Sequence, residues 1–220
     1  MDRDRESLKE KAYRIIKDKI ISVEYEPNEF LDENSLIEEI GASRTPIREA
    51  LNKLEQENLV RIIPKRGIAV SAIPFSELSE IYEVRMMLET MTLRKSIKEM
   101  SKDDRFKTAA LKYEVLTKGS DSEQLVIDES IHRLFIEYCN NRYLRQVLER
   151  VGDQSARVNV IAGRRIHNRM RHTHTEHLNI ARAIIAGDEE AAFAALSEHI
   201  SNSHKAATEC FSLTDIDIFE

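Results

Sequence analysis

The chain has 220 residues, with 33 basic against 39 acidic side chains and 41% hydrophobic residues. That apolar fraction supports packed cores and excludes a disordered chain, while only two cysteines, Cys139 and Cys210, exclude a disulfide framework. No apolar run approaches the roughly 18 residues of a membrane span and the N-terminus is charged, so the expectation is a cytoplasmic protein with no membrane partner. Six glycines, four prolines and no tryptophan point to a mainly α protein rather than a doubly wound sheet with Gly-rich phosphate loops.

All four prolines (Pro27, Pro46, Pro64, Pro74) lie in the first third, and long helical stretches without proline follow. This shift divides the chain into residues 1–73 and residues 74–220. The charge is uneven as well. Residues 41–70 hold six basic and three acidic side chains, a net +3, so the rest of the chain carries −9. A basic island in an acidic protein says more about partners than the total does.

In chain order, residues 8–22 repeat apolar groups at Ala12, Ile15, Ile16 and Ile20, the spacing of an amphipathic helix. A short helix over Asn34–Ile40 ends at Gly41. The chain restarts at Ser43-Arg44-Thr45-Pro46, where Ser or Thr can cap a helix and proline is tolerated in the first turn. Ile47, Ala50, Leu51 and Leu54 then form one stripe, with Arg44, Thr45, Arg48 and Asn52 on another face. Short helix, glycine turn and Arg-bearing helix make a helix-turn-helix. The β-branched runs Leu59–Ile63 and Ile68–Ser71, joined by Pro64-Lys65-Arg66-Gly67, predict a hairpin with a cationic tip. Such a hairpin after a recognition-type helix suits a wing on DNA, with cations for phosphates and the helix N-terminus for base edges. Arg44 and Arg48 alone would be ordinary solvated charges; their order with the turn glycine and the basic hairpin favours DNA.

Residues 41–51 (Gly-Ala-Ser-Arg-Thr-Pro-Ile-Arg-Glu-Ala-Leu), followed by Leu54, Gly67 and Val70, resemble the winged helix of the GntR family of bacterial transcription regulators. The resemblance covers roughly residues 8–73 and implies a double-stranded DNA operator as partner. It places Arg44 and Arg48 on bases or phosphates, with Ser43, Thr45 and Pro46 beside them and Lys65, Arg66 and Gly67 at the wing tip. One departure stands out. Many relatives carry an arginine in the preceding helix where this chain has Asn34, so the operator sequence does not transfer.

The second unit predicts helices over 76–100, 103–118, 122–139, 142–161, 168–186 and 189–210, with joins at Gly119-Ser120, Asn140-Asn141, Gly163 and Gly187-Asp188. Helices of this length make an all-α antiparallel bundle. Asp128 and His132 lie four apart on one helix face, flanking Ile131, Leu134 and Phe135. His177 shares a stripe with Ile180, Ala181 and Ile184, and His199 follows Phe193 and Leu196. One Asp and three His on rigid helices suit Zn²⁺, Ni²⁺ or Mn²⁺. Each also has a plainer reading as a hydrogen-bonded core histidine or a helix pair. His167, His172, His174 and His204 are read as surface or supporting residues.

Residues 82–89, 128–132, 176–177, 186–188 and 199–200 are similar to the FCD effector domain of the FadR-like branch of that family, in its six-helix VanR-type form. The resemblance implies that Asp128, His132, His177 and His199 hold a divalent metal, with Zn²⁺ foremost. It further implies a small carboxylate or hydroxy-acid effector at the open coordination sites, and Arg85 as the partner of the effector carboxylate. Arg157, Arg164 and Arg165 could add charge to the pocket. The expected protein is a ligand-responsive regulator, repressor or activator, acting as a homodimer on a pseudo-palindromic operator. Two rivals remain: a metal-dependent enzyme, for which Glu129 is the candidate base, and a metal-sensing regulator.

Overall fold

The computed structural model describes residues 6–118 and 130–212. The chain forms two compact units, one ending at Pro74 and one starting at Phe75.

In the first unit, α1 (Leu8–Ile21) starts in a capping box in which Ser7 and Glu10 each satisfy the other's backbone N–H. Strand β1 (Phe30–Leu31) precedes α2 (Glu33–Ile40), whose N-cap Asp32 accepts from the Ser35 amide. Gly41 then takes φ 70°, the left-handed geometry that reverses the chain into α3 (Arg44–Gln56). Strands β2 (Val60–Ile63) and β3 (Gly67–Val70) form the hairpin, and the antiparallel sheet runs β1-β3-β2. Val60 faces Val70 and Ile63 faces Gly67 across it.

Three details differ from the expectation. Strand β1, paired through Phe30 to Ala69, was not predicted, because two residues carry no alternation to detect. Helix α2 begins one residue earlier, because Asp32 is the cap. The Ser43 side chain makes no capping bond, so α3 starts without one. The stripe Ile47, Ala50, Leu51 and Leu54 is buried against Ile16, Ile20, Leu36, Ile40, Leu59, Val60 and Val70.

The second unit consists, among the described residues, of α4 (Phe75–Met100), α5 (Asp104–Lys118), α6 (Ser130–Glu137), α7 (Arg142–Arg165), α8 (Arg169–Ala186) and α9 (Glu189–Ser212). Helix α8 packs on α5 and α9, and α4 on α9 and α7. The core includes Leu93, Phe106, Tyr113, Phe135, Val158, Ile180, Ile184 and Leu196. Residues 122–129 of the predicted third helix, with Asp128, lie outside the described residues. The predicted join at Gly163 is instead inside α7, which continues to Arg165 and turns over Ile166–Asn168. A Cβ at Gly163 would meet Met170 Sδ at 2.5 Å, so this glycine serves a close side-chain approach rather than a break. Among the described residues no helix is long and apolar enough to cross a membrane. Cys139 and Cys210 are buried free thiols.

Leu54, fully buried at the centre of the winged-helix core, sets a stability test. Leu54→Ala should destabilise this unit by about 2–5 kcal/mol, read by urea unfolding followed by far-UV circular dichroism. An unchanged midpoint would contradict the packing described.

Candidate metal centre and nucleic-acid interface

Helices α6, α8 and α9 bring His132, His177 and His199 together. One ring nitrogen from each lies within 4.8 Å of the others. The ring centroids are 4.6 Å apart for His177 and His199 and 5.1 Å for His132 with either. His177 also meets Tyr113 edge-on at 4.9 Å.

Carboxylates stand behind two of the rings. His132 Nδ1 lies 3.0 Å from Glu89 Oε2, and His199 Nδ1 lies 2.8 Å from Glu176 Oε2. An ionised carboxylate only accepts, so each Nδ1 carries the proton and donates, which leaves Nε2 with its lone pair. The two Nε2 atoms face each other at 3.2 Å. Two lone pairs at that separation repel unless something electrophilic lies between them. Both ring nitrogens of His177 are buried without a hydrogen-bond partner among the described residues. An unsatisfied buried polar group costs about 1–3 kcal/mol, so the imidazoles fit a group the described residues do not supply. A tetrahedral Zn²⁺ with bonds of about 2.0–2.1 Å sets its nitrogens about 3.4 Å apart, close to the spacing of the Nε2 pair.

The electrostatics suit a cation. Burial, then the neighbouring His199 and His132, holds His177 well below the usual imidazole range. Burial, then His132 and Arg85, does the same to His199. Both are therefore neutral, the form that ligates metal. Burial by itself would raise the Glu89 carboxyl, but Arg85 and His132 outweigh it and hold that group well below the carboxylate range.

Arg85 is buried on α4, with Nε donating to Glu89 Oε1 at 2.6 Å and Nη2 lying 3.3 Å from His132 Nδ1. It is thus joined to Glu89 and still sits against the histidines. Arg169, which sequence reading missed, donates to Glu176 Oε1 at 3.0 Å and to Ser203 Oγ at 2.9 Å. Asn202 also donates to Glu176 Oε1 at 3.0 Å. Glu89 was detectable only as the residue four after Arg85. Glu176 adjoins His177 in sequence but serves His199, which no local spacing shows.

His174, expected as a surface or supporting residue, is buried one turn before His177, with its ring 6.1 Å from Tyr113. Helix α8 begins at Arg169, one residue after the expected start, so His174 lies in its second turn. His204 stacks on Tyr82 at 5.0 Å and lies outside the imidazole cluster. Arg157 is fully buried on α7, where burial, partly offset by Asp153, lowers its pKa to about 10, and it donates to Gln154. Arg164 and Arg165 are exposed.

In the first unit, Ser43, Arg44, Thr45 and Arg48 are exposed at the start of α3 and Pro46 is half-buried. Lys65, Arg66 and Gly67 are exposed at the hairpin tip, where the Arg66 amide donates to Ile63 O at 3.0 Å. Lys65 and Gly67 both take positive φ there. Arg61 on β2 donates to Asn28. Arg44 and Arg48 share an acidic partner, Glu33, which was not foreseen. This surface offers exposed cations at a helix start and on a turn, the pattern that engages phosphates and groove edges.

Comparison with known proteins agrees with this division. Residues 8–70 match the family of bacterial regulatory proteins named gntR, and residues 80–202 match the FCD domain. The Escherichia coli K12 transcriptional repressor GlaR is 27% identical over 200 residues, covering 86% of this chain and 90% of GlaR. The Bacillus subtilis regulator YdhC is 26% identical over 145 residues, and that match spans 65% of YdhC and 64% of this chain. Among solved structures, E. coli McbR/YncC superposes with a TM-score of 0.78 at 21% identity, covering 93% of this chain and 99% of that one. The Zn²⁺-bound FCD domain of TM0439, a transcriptional regulator by its title, gives 0.53 at 20% identity over 66% of this chain and all of that domain. These relatives are named as regulators, which sets the enzyme reading aside. The chain belongs to the gntR family of bacterial regulatory proteins and joins that family's winged helix to an FCD domain.

Proposed function

We propose that this protein is a transcription regulator that binds a pseudo-palindromic DNA operator as a homodimer. Its control is a small carboxylate or hydroxy acid held at a divalent metal centre in the FCD domain. The observation that carries this reading is the imidazole cluster: three rings on three helices, two backed by carboxylates, the third with both nitrogens unpartnered among the described residues. A core histidine kept only for packing would find a partner for at least one nitrogen.

In this reading His132, His177 and His199 are ligands and Asp128 completes the set. A nitrogen-rich site favours Zn²⁺ or Ni²⁺ over Mn²⁺, and the Zn²⁺-bound domain of TM0439 supports Zn²⁺. When bound, the cation supplies a Lewis-acidic seat for effector oxygens. Glu89 and Glu176 hold the two imidazoles in one tautomer and orientation. Arg85 is the effector-binding residue, supported by its burial beside His132 and by the fork geometry with which guanidinium takes carboxylate. Control of DNA affinity then requires that the effector bind one conformation of the protein more tightly than the other. On the DNA side, Arg44, Arg48, Lys65 and Arg66 are the contacting cations, with Ser43, Thr45, Pro46 and Gly67 beside them. The relative GlaR is named a repressor, which supports repression here.

Protein stripped by a chelator and returned to Zn²⁺ should melt at a higher temperature. The gain is about 2.7 kcal/mol at a hundredfold excess over the dissociation constant. In the His177→Ala/His199→Ala double variant the shift and the metal content should both vanish; metal retained at one equivalent, by elemental analysis, would overturn the ligand set. Glu176→Gln, which keeps the shape but weakens the hold on His199, should loosen Zn²⁺ by about 10- to 100-fold in a chelator competition. Unchanged affinity there would leave Glu176 with a purely structural role. Arg48→Ala should weaken binding to the preferred duplex by about 1–3 kcal/mol and relax base preference, read by fluorescence anisotropy. If affinity and preference both stay the same, α3 is not the reading helix.

A further inference from the structure

Glu33 opens α2, and its carboxylate lies between the two arginines of α3. Its Oε1 is 3.0 Å from Arg44 Nε and 3.0 Å from Arg48 Nε. Arg48 Nε also reaches Oε2 at 3.3 Å. The Glu33 side chain is 21% exposed, against 58% and 62% for the two arginines it joins. Asn34, next to it, accepts from Arg44 Nη2 at 3.0 Å.

Folding stability does not account for this arrangement, because ion pairs between exposed groups contribute little. A carboxylate on a surface that meets phosphates also opposes binding. What it does supply is geometry. A free arginine must lose rotamer freedom before its planar fork can meet a base, and prior fixation of the side chain removes part of that cost. Both hydrogen bonds from Arg48 to Glu33 leave from Nε. The terminal Nη edge, which pairs with guanine O6 and N7, is not used by them. Arg44 is held at Nε and at Nη2, so less of its fork remains for a bidentate contact.

We propose that Glu33 is a specificity-determining positioning residue. It clamps the Arg48 guanidinium through Nε so that its terminal edge reads a base, and with Asn34 it holds Arg44 for a phosphate. The inference rests on the DNA-binding reading above and adds to it which arginine reads sequence and what aims it.

The test uses the full chain and a duplex that the wild type selects from a random library. Wild type, Glu33→Gln and Glu33→Asp are then titrated against that duplex and a scrambled one over a range of salt. Glu33→Gln should lower the ratio of selected to scrambled affinity at least about tenfold, the scale of one bidentate base contact, while binding to scrambled DNA tightens. Glu33→Asp keeps the charge near the α2 N-terminus but is one methylene short of spanning both arginines. It should lose specificity too, with an unchanged melting temperature. A wild-type ratio in both variants overturns the proposal. So does an equal gain on both duplexes, which would make Glu33 a simple repulsive charge. A wild type that enriches no duplex sinks the DNA-binding reading itself and the inference with it, a result distinct from an unchanged ratio in the variants.

Discussion

Two carboxylates set against two imidazoles organise the helical unit. Glu89 and Glu176 each bind a histidine on one side and an arginine on the other, so the chains Arg85–Glu89–His132 and Arg169–Glu176–His199 converge on one point. The exposures are 2% and 7% for the Arg85–Glu89 pair and 9% and 15% for Arg169–Glu176. Removing charges from water to this extent costs several kcal/mol per ion, about what well-placed partners return. Apolar residues would serve stability equally well. Retaining four charges to steer two imidazoles makes sense when the imidazole nitrogens themselves have work to do, and their convergence with His177 supplies that work.

The winged helix uses ion pairs in the opposite setting. Its core is wholly apolar, from Ile16 through Leu54 to Val70, and needs no charge to hold together. Most of its ion pairs lie at the surface, where water screens them and they add little stability, while Lys17–Glu57 is half-buried under Tyr13. Glu33 and Asn34 occupy the first turn of α2, and Gly41 turns the chain so that the first turns of α3 come alongside. The same chemistry, guanidinium on carboxylate, thus occurs buried in one unit and at the surface in the other.

Much of this was legible in residue order. Periodicity found the hairpin and the helices of both units, α6 being described only from Ser130, and the stripe from Ile47 to Leu54 is buried as its spacing implied. Of the residues expected to meet at a metal, His132, His177 and His199 do come together, and Asp128 falls outside the described residues. The failures have separate causes. Gly163 reads as a break because glycine commonly is one, whereas in the fold it admits Met170. His174 reads as surface or supporting, and its burial follows from the packing of α8 on α5, which no period within α8 shows. Strand β1 was too short to show any period.

Sequence alone therefore determined which residues share a face of each element, where the chain turns, and the family to which both units are similar, because period and turn chemistry are local. Only the tertiary structure decided which faces meet. Glu89 and His132 lie 43 positions apart, His132 and His199 lie 67, and Glu33 and Arg48 lie 15. No pattern within one helix carries such a pairing. It arises when helices pack at one separation and rotation, and that packing brings scattered groups together as a carboxylate between two exposed arginines and a cluster of imidazoles.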